Sequence, residues 1–508
     1  MSTPSPLALL LLVSSPHTAQ ISARDDLHAL HDAVADLEYA AEFVTCVGEV
    51  NAVQRVLVRH DRPRFRILHF IGHGSPADDD VDSEAGAGAL AGGGAGAGAL
   101  AGGVPGSRAR LAFEGELGER RMLDGAALAP VLAPTGALEF ELAVLSACHS
   151  EAVGEALIAL GVRHVVAIEA DAAVYEIAAV RFYAHFYRAL FTGADVTHAF
   201  AAGRSAVLTD ARLGAAAAVE AAKFRLLPAD GDHRATFAAP RADAPVRVHA
   251  LPALTTTHFR PPPVGFIGRS AEKLAILREL DAHRAVLIKG VSGVGKSELA
   301  REIGRWLVER SRVAASCAWF APLVGAHSDA EMRIAVALAM GVSPESMPTD
   351  AGAANDWLAA QLPRRSLLVL DEAENAIEHG GRAVRDLLER LVEAPNRPLI
   401  IVTAQKDVGS RALPVFEVRR MEMDAAVRLF AACAGLQPGG LVRLQHAELA
   451  EALDFMDRLP RAIELLAAVW RDRRDPDLTG LLAEMRRHRD RILRDPHYPD
   501  EVKSVTLG

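Results

Sequence analysis

Two α/β domains in tandem, each built on a mostly parallel, doubly wound sheet, are the fold this sequence predicts, with a helical subdomain closing the second. Three observations predict it. Apolar runs of strand length alternate with amphipathic helical stretches from residue 6 to about 208, and the alternation resumes at Phe266. Between the two stretches the chain runs RPPPVGF, and consecutive prolines continue neither a helix nor a central strand. The second stretch sets a glycine-rich loop between an apolar strand and a helix. At 508 residues the chain is also too long for one ordinary core.

In the first domain the strands are expected at 7–13, 66–71, 141–146 and 164–168, with amphipathic helices at 23–37 and 150–160. Residues 84–107 are low-complexity Gly/Ala, cannot bury a core, and read as a loop insertion. Residues 211–263 hold few periodic features and read as a linker, which puts the first domain at 1–210. In the second domain, 264–420, strands are expected at 285–289, 317–321, 367–370 and 399–403. From 421 to 508 the pattern is helical, and no fixed-period repeat is present.

Composition narrows the class. Half the residues are apolar and 24% charged, the balance of an ordinary globular protein. A net charge of −10 argues against bulk electrostatic binding of nucleic acid. Cys46, Cys148, Cys317 and Cys433 form no C-x-x-C pair, which fits reduced thiols in a cytoplasmic protein and excludes a disulfide framework or zinc knuckle. The apolar run near the N-terminus lacks a basic flank and stops at Ser-Ser-Pro, so it reads as a buried first strand, and no stretch is long enough to span a membrane. The acidic run at 78–82 lacks the glycine and terminal glutamate of a calcium loop and reads as solvated.

The most specific motif is Gly290-Val-Ser-Gly293-Val-Gly295-Lys296-Ser297, set after an apolar strand and opening a helix. Glycines let successive backbone N–H groups face phosphate oxygens, and the helix N-terminus adds positive potential. Lys296 is placed to reach the β/γ-phosphates and the Ser297 hydroxyl to ligate Mg²⁺. Downstream, SLLVLDEAE brings Asp371 to the carboxyl end of a buried strand, where it would hold Mg²⁺, with Glu372 placed to orient an attacking water. ATP or ADP with Mg²⁺ is the ligand this chemistry predicts.

This half resembles the STAND class of signalling ATPases, which includes NB-ARC domains. Phe266-Ile-Gly-Arg269 with Glu272 is similar to the family's opening motif, which packs near the base. The strand at 399–403 resembles the sensor strand, and Leu459-Pro460 the G-x-P element, whose proline contacts the adenine side. Two positions depart from the pattern. Thr403-Ala404-Gln405-Lys406 stands where the family carries Thr-Ser-Arg, and Arg458 replaces the glycine of G-x-P; both suit a slow switch better than a fast motor. The resemblance implies self-oligomerisation on activation. The final residues resemble the lead-in to the family's winged helix, so the chain is expected to be an N-terminal fragment of a longer protein.

In the first domain, RFRILHFIGHGSP brings His73 to the end of one apolar strand, and ELAVLSACHSE brings Cys148 to the end of another. Carboxyl ends of strands are where open α/β sheets place active sites. A thiol there needs a base and a positive field to become a nucleophile, and a following helix supplies part of that field. The Gly74 and Cys148 backbone N–H groups are placed to face a developing oxyanion. His69 lies inside its strand and reads as buried or supporting, and His149 as pointing away from a substrate.

These residues resemble the CHAT family of caspase-like peptidases, here as His69-Phe-Ile-Gly-His73-Gly74 and Ser146-Ala147-Cys148. The resemblance spans 6–208. It implies a caspase-like sheet, Cys148 as nucleophile, His73 as general base, and Asp171 in the primary specificity pocket. A nucleotide-regulated cysteine endopeptidase acting on a protein substrate is the leading expectation, and bacterial defence or programmed cell death the setting the resemblance implies. A signalling scaffold with an inactive peptidase fold is the alternative, and a chain whose main output is ATP hydrolysis a third.

Overall fold

The computed structural model describes residues 7–17, 41–59, 62–75, 109–136, 138–170, 172–237, 247–249, 259–436 and 446–472, with four isolated positions beyond. The helix expected at 23–37, the Gly/Ala-rich stretch 84–107, the acidic run 78–82 and Asp171 lie outside the described residues. The chain divides into two compact units after Leu251.

In the first unit the elements follow as β1 (Leu7–Val13), β2 (Ala41–Val47), α1 (Val50–Leu57), β3 (Phe65–Ile71) and β4 (Gly74–Ser75). Next come β5 (Arg110–Glu114), β6 (Arg120–Leu123), α2 (Gly125–Leu132), β7 (Leu142–Ser146), α3 (Glu151–Ala159) and β8 (His164–Ile168). The unit ends with α4 (Glu176–Phe191), α5 (Val196–Leu208), α6 (Ala217–Ala222), β9 (Phe224–Leu227) and β10 (Arg247–His249). Among the described residues the main sheet runs β10-β2-β1-β3-β7-β8-β9, parallel throughout except at the β8–β9 pair. A small antiparallel sheet, β4-β5-β6, grows from the end of β3.

The run LALLLLV is continuous because β1 is covered on both sides. Leu7, Leu9 and Leu11 pack with Phe182, Phe186 and Tyr187 of α4. Leu10 and Leu12 pack with Val53 of α1, Leu128 of α2 and Leu157 of α3. Each such side chain contributes about 1.5–3 kcal/mol by leaving water. The sheet is therefore wound on both faces, as expected.

The linker expected at 211–263 is corrected. Its first part builds α6 and β9, and β9 closes one edge of the main sheet while β10 closes the other. Phe224 is fully buried and stacks on Phe182 with ring centroids 3.9 Å apart. The segment hid from periodicity because β9 is only four residues long and its FRLL offers no alternation.

The second unit has α7 (Ser270–His283), β11 (Ala285–Lys289), α8 (Lys296–Glu309), β12 (Ala318–Pro322), α9 (Asp329–Ala339) and α10 (Ala351–Gln361). It continues with β13 (Leu367–Asp371), α11 (Glu374–Val392), β14 (Leu399–Ala404) and β15 (Val415–Glu417). Three helices follow: α12 (Met423–Ala434), α13 (His446–Phe455) and α14 (Pro460–Asp472). The sheet runs β12-β13-β14-β11-β15, all parallel among the described residues. The edge strand β15 escapes the sequence reading because it is three residues long and half exposed. The last three helices share their own core around Phe430, Leu453 and Ile463.

Candidate functional sites

In the first unit the two motif strands are neighbours. β3 pairs with β7 in parallel, with Ile71 opposite Ser146, so both chains leave the sheet at the same edge. The Gly72 N–H donates to the Ser146 carbonyl at 3.1 Å, which carries the pairing one step further. At Gly74 the approach is closest: a β-carbon there would stand 1.8 Å from the Cys148 carbonyl oxygen. Only glycine fits.

The hairpin β5–β6 fixes the other side. The Ala112 N–H donates to the His73 carbonyl at 2.9 Å, and Gly74 lies opposite Leu111 in antiparallel register. That register makes Gly74 a non-hydrogen-bonded position, with its N–H directed away from the hairpin. The His73 side is exposed, and Cys148 is half-buried. Geometry thus brings His73, Gly74 and Cys148 together at one strand edge.

Of the neighbouring histidines, His69 is buried, as its place inside β3 leads one to expect. It lies between the rings of Tyr183 and Tyr187, at 5.0 and 5.5 Å between centroids. Burial pushes its pKa down to about 3, so it stays neutral. His149 adopts a left-handed backbone, φ 57°, and its Nδ1–H donates to the Ala170 carbonyl at 2.7 Å. Burial, then the charge of Glu49, pushes the Cys46 thiol up to about 12.

In the second unit Arg269, Gly293, Gly295, Lys296, Ser297, Glu372 and Pro460 line one cleft of about 740 Å³. Gly295, at φ 95°, turns the loop into the first residue of α8. Lys296 is buried, which lowers its pKa, and its ammonium donates to the Gly290 and Val291 carbonyls at 2.9 and 3.1 Å. The Arg269 guanidinium donates to Glu272, to the Arg419 carbonyl and to the Val294 carbonyl, so it braces the loop. Pro460 packs 3.5 Å from where a Gly295 β-carbon would be, and the Arg461 N–H donates to the Gly293 carbonyl at 3.4 Å.

Lys296 of the phosphate loop feels the charges of Glu374, Asp371 and Glu372, so Asp371 lies within electrostatic reach of that loop. The loop strand β11 pairs with β14 and not with β13, so β14 lies between the strand that Asp371 ends and the strand that leads into the loop. On β14 the buried Thr403 donates its hydroxyl proton to the Asp371 carboxylate at 2.6 Å and accepts the Glu372 N–H at 2.9 Å. Glu372 lines the cleft, and its pKa is raised by burial first and then by the charges of Asp371 and Glu374. Gln405, where the family pattern has arginine, donates its amide to Glu374 at 3.1 Å on the cleft wall. Sequence reasoning took Thr403 only as part of a sensor strand; its hydroxyl role becomes visible once β13 and β14 are paired.

A doubly wound α/β unit with a Gly–Cys approach at its carboxyl edge, and a second unit with a phosphate-loop cleft, are the classes of site present. Residues 5–249 match the family model described as CHAT domain, and residues 279–407 match the one described as AAA domain. The chain carries a CHAT domain ahead of a P-loop ATPase region. Among solved structures it is similar to the Walker-type ATPase of Pyrococcus abyssi, at 17% identity over 46% of this chain and 80% of that one, with a TM-score of 0.32. The ORC2 protein of Aeropyrum pernix is similar at 17% identity over 44% of this chain and 69% of that one, with a TM-score of 0.33. A STAND protein with a tetratricopeptide repeat sensor from Pyrococcus horikoshii is similar at 14% identity, over 46% of this chain and 34% of that one, with a TM-score of 0.30. A search of the curated proteins found no match. No helix among the described residues is long and apolar enough to cross a membrane.

Proposed function

We propose that the chain is a cysteine endopeptidase whose CHAT domain is governed by the nucleotide state of a STAND-type ATPase region. The observation that carries the peptidase reading is the approach of Gly74 to Cys148, which sets the His-Gly and Ala-Cys motifs side by side. His73 takes the Cys148 thiol proton, and the thiolate attacks the scissile carbonyl carbon. The Gly74 and Cys148 N–H groups receive the charge that develops on the oxygen. The amine then leaves with the proton from His73, and water hydrolyses the thioester to free Cys148. Asp171 is proposed to line the specificity pocket, from its place directly after Ala170. The substrate is a protein segment, and bacterial defence or cell death in the cytoplasm is the setting that fits the family.

In the ATPase region, Gly290, Gly293 and Gly295 with Lys296 would cradle the phosphates of ATP or ADP. A bound phosphate offers the Lys296 ammonium a charged acceptor in place of two loop carbonyls. Ser297 and Asp371 would hold Mg²⁺, which supplies charge neutralisation between the β- and γ-phosphates when bound. Glu372 orients the attacking water, while Arg269 and Pro460 shape the wall of the cleft. Gln405 in place of an arginine supports a slow switch, and activation is proposed to involve self-oligomerisation.

The decisive experiment maps new protein N-termini after expressing wild type beside Cys148→Ala. N-termini present only with the wild type support the reading. Identical sets, together with Cys148 alkylation no faster than that of Cys317, overturn it in favour of a non-enzymatic scaffold. Cleavage that is the same with and without ATP, and unchanged in Lys296→Ala, refutes nucleotide control.

A further inference from the structure

The pairing of β7 with β8 stops at Val144 opposite Val166, although both strands run two residues further. Beyond that point side chains take over the role of the ladder. The Ser150 hydroxyl accepts the Ile168 N–H at 3.0 Å. The Glu151 carboxylate accepts the Ala170 N–H at 2.9 Å, and the His149 ring donates to the Ala170 carbonyl at 2.7 Å. The His149 backbone N–H donates to the Ala172 carbonyl at 3.3 Å. Three consecutive residues after Cys148 thus hold the segment leaving β8 at every second residue.

His149 is the centre of this clamp. Its ring holds one side of Ala170 while Glu151 holds the other. The carbonyl can only accept, so the Nδ1 atom of His149 carries the proton in this contact. A left-handed backbone is uncommon for a residue with a β-carbon, and here it lets the backbone and the ring of one residue reach Ala172 and Ala170 together.

We infer that His149 is a positioning residue that fixes the segment after β8 beside the turn that carries Cys148, and so sets which peptides reach the thiol. This rests on the cysteine-peptidase reading, and it goes beyond the roles of Cys148 and His73. Because the clamp acts on that segment and not on the thiol, it affects large probes and small ones differently.

The test compares the full-length wild type, His149→Ala and His149→Asn with two alkylating probes and with amide hydrogen exchange. Loss of one net hydrogen bond, about 1.4 kcal/mol, is expected to slow labelling of Cys148 by a peptidyl acyloxymethyl ketone about tenfold in His149→Ala, with iodoacetamide labelling changed by less than about twofold. Exchange of the Ile168, Ala170 and Ala172 amides is expected to accelerate in the same variant. Asparagine keeps an N–H donor and tolerates the left-handed backbone, so His149→Asn is expected to restore both readouts. Equal slowing with both probes, or unchanged exchange in His149→Ala, overturns the inference. If no peptidyl probe labels Cys148 in the wild type, the peptidase reading fails, and the exchange arm still decides the clamp.

Discussion

Gly74 and Cys148 come so close that a β-carbon on the glycine would lie 1.8 Å from the cysteine's carbonyl oxygen. Real β-carbons do not approach a backbone oxygen so closely. The contact joins two segments 74 positions apart in sequence (148 − 74), and it makes the glycine a geometric requirement of the nucleophile turn.

Gly74→Ala is therefore expected to push the Cys148 turn away from β4. Overpacking of this kind costs about 1–3 kcal/mol. Urea unfolding is expected to register that loss, and iodoacetamide labelling of Cys148 to change with it. Wild-type stability and wild-type labelling together would mean the two segments are not in contact.

Phe224→Ala tests whether the region read as a linker belongs to the core. The ring is fully buried and stacked on Phe182. Removing it is expected to destabilise the first unit by about 3–5 kcal/mol in chemical denaturation. A change under about 0.5 kcal/mol, as for an exposed surface site, would contradict the assignment of β9 to the sheet.

His69 predicts a pH dependence. Its folded pKa, about 3, lies below the ordinary histidine value of 6.5, so between these limits the unfolded chain binds a proton that the folded chain refuses. Stability from this group is whole above pH 6.5 and falls as pH drops toward 3, by about 1.4 kcal/mol per unit. From pH 6.5 to 5 the loss amounts to about 2 kcal/mol. In His69→Phe the slope over that interval is expected to shrink, measured by urea denaturation at each pH. An unchanged slope would mean that His69 is protonated in the folded protein.

Thr403→Val removes a hydroxyl that serves Asp371 and the Glu372 N–H at once. Leaving such buried groups unpaired costs about 1–3 kcal/mol each. The second unit is expected to melt at a lower temperature, and its ATP affinity to lose most of its dependence on Mg²⁺. Titration with and without Mg²⁺ checks this, and an intact Mg²⁺ dependence would free Asp371 from any need of Thr403.

Much of the scaffold was legible before folding. β1, β8 and β11 run over the same residues as expected, because a parallel strand covered on both faces is apolar without interruption. The phosphate loop was legible because its chemistry needs glycine, lysine and serine at fixed spacing. The short strands β5, β6, β9, β10 and β15 were not, since each holds five residues or fewer and carries arginine or glutamate among its apolar positions. Their membership of a sheet depends on partners distant in sequence.

Local motifs marked Cys148, His73 and Lys296 as candidates, because a thiol and an imidazole at strand ends and a lysine closing a glycine loop announce their chemistry locally. What they left open was adjacency. That Gly74 lies against Cys148, that β14 lies between the strand of Asp371 and the strand of the phosphate loop, and that His149 reaches across to Ala170 all follow from strand order and register. Those are set by the packing of whole helices on both faces of a sheet, and no window of sequence contains them.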